Sequence, residues 1–136
     1  MNYLLDTNVL SEPTRPRPDP KVMDWIDTTP LNTLFISVLS LGELTKGIAQ
    51  ILDRDKQRAE TYAGWLVSIR RQYAGRVLPV DASVAETWGM MASTGSFPIL
   101  DALILSTARA HGLVLATRNR RDFDGLGVQV FNPWTD

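Results

Sequence analysis

The chain has 136 residues, 44% of them hydrophobic, with a formal net charge of -1 and no cysteine. That amounts to one globular domain, 1–136, able to bury a core. It excludes disulfides, thiol nucleophiles and thiolate metal sites, and it offers no global basic field for nucleic acid.

Tyr3-Leu4-Leu5 opens the chain as a short apolar run and stops at Asp6-Thr7-Asn8. An apolar run of this kind reads as a strand buried on both faces of a parallel sheet. Asp6 then stands at the carboxyl end of the strand, where open α/β sheets place their sites. Taken alone, Asp6 or Asn8 reads equally well as the cap of a following helical turn. Ser11 to Pro20 carries four prolines, Pro13, Pro16, Pro18 and Pro20, and is expected to be an exposed, partly extended loop. Asp19-Pro20 then caps a short helix that runs through Trp25 and Ile26 and stops near Pro30.

Thr33 to Ser37 forms the second strand, and Ser37 or Ser40 opens a helix to about Leu52. Leu41, Leu44, Ile48, Ile51 and Leu52 make its apolar stripe. Glu43 lies off the stripe, with Gly47 one turn later on its face leaving room beside it; by itself Glu43 reads as a solvated residue paired with Lys46. Arg54 to Ala74 is the longest helical stretch, with Tyr62, Trp65, Leu66 and Ile69 on its apolar face. It forms the second arm of a helical hairpin, and Gly75 ends it. Arg76 to Val80 is a third strand, placed at an edge by Pro79.

Asp81 or Ser83 caps a helix through Val84, Trp88 and Met91, and Thr94 to Pro98 breaks it. The next helix runs from Ile99 to His111, with Asp101 in its first turn. His111, before Gly112, suits the helix C-terminus, and one histidine without cysteine makes Ser-His or Cys-His catalysis a poor fit. Leu113 to Thr117 is apolar and central, Asp122 follows it, Asp124-Gly125 turns, and Val128 to Phe131 is a fifth strand. Alternating strands and helices define an α/β class with a mainly parallel sheet. No stretch approaches the roughly 20 apolar residues of a membrane helix, no basic segment precedes the first apolar run, and a cytoplasmic protein is expected. GxGxxG, GxxxxGK[ST] and GxSxG are all absent.

Asp6, Glu43, Asp101 and Asp122 converge if the first strand is central, with the second and fourth on either side. Clustered carboxylates need a counter-charge, and Mg2+ or Mn2+ prefers oxygen ligands. Such a centre hydrolyses phosphodiesters. Against this, Asp101 would also suit a helix dipole, and Asp122 a surface turn.

Leu4-Leu5-Asp6-Thr7-Asn8, the helical Glu43, Asp101-Ala102-Leu103-Ile104 and Ala116 to Phe123 together resemble the PIN-domain ribonucleases, in particular VapC/FitB-type toxins. The resemblance covers nearly the whole chain. It implies a PIN-like three-layer fold with sheet order 3-2-1-4-5, an Mg2+- or Mn2+-dependent endoribonuclease, a homodimer and a cognate antitoxin. By position, Asp6 and Asp101 match the main metal ligands, Glu43 the helical acid, and Asp122 the fourth acid at a second metal or a water. Asn8, Thr117 and Asn119 match polar supports. The chain departs at Gly95-Ser96-Phe97-Pro98, where relatives often carry a Gly-Arg-Pro-like run.

An acidic site that binds RNA needs local basic residues, and Arg118, Arg120 and Arg121, with Arg15 and Arg17, are the best placed. The antitoxin is expected to cover the Trp65/Ile69 helix face and to set a basic side chain near Asp6 and Asp101. Two other readings stand beside the toxin: a phosphatase of the haloacid dehalogenase type, which wants an aspartate where Asn8 stands, and a PIN-like module that only binds RNA or protein.

Overall fold

The computed structural model describes residues 1–136. The strands are β1 (Tyr3–Leu5), β2 (Leu34–Ser37), β3 (Val77–Leu78), β4 (Val114–Ala116) and β5 (Val130–Phe131). The helices are α1 (Thr7–Leu10), α2 (Pro20–Thr28), α3 (Val38–Leu52), α4 (Lys56–Gln72), α5 (Ala82–Ala92), α6 (Ile99–His111) and α7 (Arg120–Phe123). The strands form one sheet in the order β3-β2-β1-β4-β5, and every pairing is parallel. This is the expected order, with a wholly parallel sheet.

Strand alternation divides the core in two. Leu4 and its register partner Leu115 face one side, where Met91 of α5, Ile104 and Leu105 of α6 and Phe123 of α7 close over them. Leu5 and its partner Ala116 face the other side, against Val9, Val22, Ile69 and Tyr73. Leu4 and Leu5 are therefore both fully buried, each contributing about 1.5–3 kcal/mol. Helices on both faces of the sheet make the three layers.

Element ends differ from expectation where one residue intervenes. β3 stops at Leu78, because Pro79 has no N–H for the ladder. The edge is completed instead by Arg76, whose carbonyl accepts from the Ile36 N–H (3.0 Å) and whose Nε donates to the Leu34 carbonyl (3.0 Å). β5 begins two residues late, after Gly127 at φ 78°. α6 ends as expected: Gly112 takes the left-handed conformation at φ 64°, and Leu113 N–H reaches back to the Ala108 carbonyl (2.9 Å).

The proline-rich loop is less open than its composition implies. Glu12–Thr14 forms a 3-10 turn, and the Glu12 carboxylate is buried. One oxygen accepts the Asp19 N–H (2.8 Å), and the other lies 3.2 Å from Arg15 Nε. That ion pair is too poorly directed to be a hydrogen bond, so the second oxygen is held by charge alone. The loop is a closed strap pinned by a buried acid.

Candidate metal and RNA-cleavage site

Asp6 ends β1 and caps α1 at once, since its Oδ1 accepts the Thr7 N–H at 2.8 Å. The two readings of Asp6 are compatible: a cap uses one carboxylate oxygen and leaves the other for the site. Oδ2 accepts the Thr117 hydroxyl at 2.7 Å, from the end of β4. Thr117 is fully buried, and its own oxygen accepts the Asn119 N–H at 3.1 Å. Its single proton is therefore committed to Asp6. Asn8 stands farther off, its Nδ2 at 3.5 Å from Asp6 Oδ2 and its Oδ1 at 3.4 Å from the Arg118 N–H.

Glu43 does not pair with Lys46. Its Oε1 accepts the Thr7 hydroxyl at 2.8 Å, and Thr7 Oγ1 lies 2.8 Å from Ser40 Oγ. A hydroxyl has one proton, and that of Thr7 goes to Glu43, so Ser40 is the donor to Thr7. The result is a directed relay, Ser40 to Thr7 to Glu43, which joins α3 to α1. Thr7 and Ser40 were missing from the sequence-based site. Thr7 sits inside the Asp6-Thr7-Asn8 motif, so its polarity was visible there. Ser40 looked like a helix start, although Ser37 makes that cap by accepting the Leu39 N–H (3.0 Å).

Burial pushes the Asp6 carboxyl above its usual range; the bonds from Thr117 and Thr7 oppose this, and the charges of Asp101 and Glu43 add to it. Asp101 is raised by burial and by Asp122. Asp6, Glu43, Asp101 and Asp122 thus share one electrostatic neighbourhood, and neither Asp6 nor Asp101 takes part in a salt bridge. All the donors are oxygens, which fits a hard divalent cation. No three of the acids stand close enough together to ligate one ion as they are. The arrangement fits an ion held by a pair of carboxylates and completed by water, the usual manner for Mg2+.

The polar supports divide. Thr117 acts through its side chain, whereas Asn119 acts through its backbone N–H, which any residue except proline would supply. The arginines divide as well. Arg15 pairs with Glu12, Arg120 Nη1 grips the Asp136 carboxylate at 2.7 and 2.8 Å, and Arg118 lies 5.1 Å over the Trp134 ring. Arg17 and Arg121 are exposed and outside these pairs.

Two cavities adjoin the acids. One, of about 220 Å³, lies in the α3–α4 hairpin and is lined by Glu43, Gly47, Ile48, Ile51, Tyr62 and Trp65. Gly47 leaves room there as expected, for a Cβ would meet nothing within 4 Å. Ile69, the other half of the expected antitoxin face, is buried in the core and unavailable. The second cavity lies beside Asp101 and Asp122.

A parallel 3-2-1-4-5 sheet with acids placed after its strands is the arrangement of the PIN-like α/β fold, and the PIN domain model matches residues 3–128. The chain belongs to the PIN-domain family. It is 37% identical to Toxin FitB of Neisseria gonorrhoeae over 138 residues, covering 98% of this chain and 99% of that one. It is 34% identical to the VapC ribonuclease Y4jK of Sinorhizobium fredii, covering 96% of each. The crystal structure of FitAcB from Neisseria gonorrhoeae matches with a TM-score of 0.91 at 36% identity, over 98% of this chain and 99% of that one.

Proposed function

We propose that this protein is the endoribonuclease toxin of a toxin–antitoxin pair, cleaving RNA in the cytoplasm with Mg2+ or Mn2+ and neutralised by a cognate antitoxin. The observation that carries it is that Asp6, Glu43, Asp101 and Asp122 come from separate elements into one electrostatic neighbourhood, with Asp6 and Asp101 outside every salt bridge. Similarity to a FitB toxin and a VapC ribonuclease over nearly the whole chain supports the same reading.

Asp6 and Asp101 would hold the ion, with Glu43 flanking it and Asp122 toward a second ion or a water. Bound there, the ion supplies counter-charge and Lewis acidity for phosphodiester hydrolysis. Thr117 fixes the Asp6 carboxylate, and the Ser40–Thr7 relay fixes Glu43. Arg17 and Arg121 draw in the RNA backbone, while Arg15, Arg118 and Arg120 act on that surface from their ion-pair and stacking positions. Residues 1–136 form one nuclease domain, which pairs as a homodimer. The antitoxin covers the apolar α3–α4 groove beside Glu43 and sets a basic side chain against the acids.

The test is digestion of total cellular RNA with the purified protein, with and without Mn2+, the cut ends being mapped. Discrete cuts that require the metal and vanish in Asp6→Asn are expected. Cleavage that persists in both Asp6→Asn and Asp101→Asn would overturn the proposal.

A further inference from the structure

The second cavity, of about 290 Å³, opens between the α5–α6 connection and α7. Its depth is apolar, formed by the buried Met91, Leu105 and Phe123. Its rim is polar and exposed: Ser96 and Asp122, with Asp101 half-exposed between them and the depth. Phe97 stands on one wall, half-buried, so that part of its surface remains accessible. The ring is braced against Gly95, where any Cβ would approach its edge to 3.3 Å. An apolar cleft with an accessible aromatic wall and a few polar groups at its mouth has the form of a small-ligand site, at the small end of the range. It shares Asp101 and Asp122 with the acidic centre, so whatever fills it lies directly beside those acids.

We infer that this cavity is a nucleobase slot, holding one unpaired base of the RNA strand against the Phe97 ring, from the nucleotide flanking the cleaved phosphate. The inference rests on the ribonuclease reading above and adds to it the means by which the strand is held in register. Single-stranded RNA is recognised by splaying bases out and stacking them on aromatic rings. Stacking beside the acids fixes the phosphate without adding positive charge, which a chain of net charge -1 does not supply globally. Asp122, the most exposed of the four acids, offers an acceptor at the rim, and Ser96 adds a hydroxyl that can donate or accept. Acceptors suit a base edge that carries an amino group, so cytosine is preferred to uracil, which shows a carbonyl at the same place.

The test uses short oligoribonucleotides spanning a mapped cut, with the flanking base natural, abasic or replaced by 2-aminopurine. In wild type, removing the base or making Phe97→Leu should each raise KM roughly 5- to 150-fold, the range of one base–aromatic stack, with kcat changed less. Made together, the two changes should cost little more than one, while Phe97→Tyr, which keeps the ring, restores KM. The 2-aminopurine should lose fluorescence on binding wild type and keep it with Phe97→Leu. Cytosine should give a lower KM than uracil at that position. Independent losses, or cleavage by wild type with no quenching, would overturn the slot and leave the ribonuclease standing. Quenching that depends on Phe97 in a protein that cuts no RNA would keep the slot and overturn the ribonuclease. Equal KM for cytosine and uracil would overturn the part assigned to Asp122.

Discussion

At the scale of single residues, the metal role proposed for Asp6 is set against stability. Its carboxyl is raised above 3.8, first by burial, so ionising it in the folded protein opposes folding. A raised carboxyl contributes stability below the unfolded value, and that contribution is lost as pH rises through the folded one. Metal-free Asp6→Asn should therefore melt higher than wild type at pH 7, and the gap should close below about pH 4. Thermal melts across that range in chelator check this; a variant that melts lower at pH 7 would contradict it. The same substitution should abolish Mn2+ binding in calorimetry. The relay makes a second prediction. Thr7→Val keeps the shape and the backbone cap but leaves Glu43 and Ser40 without their shared hydroxyl. It should lower kcat on the order of 10- to 100-fold, as expected for a misplaced catalytic group. A variant as active as wild type would remove the relay from the mechanism.

At the scale of elements, two straps close over the carboxyl end of the sheet. The first is the proline-rich loop, held by Glu12 to Asp19 N–H and to Arg15. Removing a buried acceptor leaves the groups around it unpaired, at about 1–3 kcal/mol. Glu12→Ala should therefore lower stability by about that much and make the loop open to protease. Unchanged stability would mean that the strap closes without its acid. The second strap leaves β4 at Thr117 and forms α7, carrying Arg120 and Arg121 on neighbouring positions with different partners. Arg120 is tied to Asp136, whereas Arg121 is outside the ion pairs. If phosphate contact needs an uncommitted side chain, Arg121→Ala should flatten the salt dependence of RNA binding by about 0.7 in slope. Arg120→Ala should mainly loosen the α7 strap. Equal salt slopes in wild type and Arg121→Ala would move the RNA path elsewhere.

At the scale of the whole molecule, the acidic centre lies between two cavities on either side of it. The α3–α4 groove is lined mainly by apolar side chains and bordered by Glu43, which suits a helix from another protein. The cavity by Phe97 has an aromatic wall and polar groups at its rim, which suits the one base proposed for it. Filling the groove should therefore separate neutralisation from cleavage. A Cβ at Gly47 would meet no atom within 4 Å, and Gly47→Leu enters the groove and favours the helix, so the fold should hold. It should weaken inhibition by the antitoxin while RNA cleavage continues. If inhibition is unaffected, the antitoxin docks on another face.

The sequence by itself determined the layers and the order of elements. Apolar runs at Leu4-Leu5 and Leu113 to Ala116 are buried on both faces because a parallel sheet covered by helices gives them no polar side. It also presented the four acids as candidates, Asp6 and Asp122 after strands, Asp101 in a first helical turn and Glu43 further into its helix. Only the tertiary structure decided what those acids touch. The Thr7–Glu43 bond spans 36 positions and the Thr117–Asp6 bond 111, so no local pattern encodes either. Burial of Ile69 and Glu12, and the pairing of Arg120 with Asp136, likewise depend on which surface closes over each side chain. Whether a charged side chain is free to meet a ligand is a property of its neighbours, and neighbours are assigned by folding.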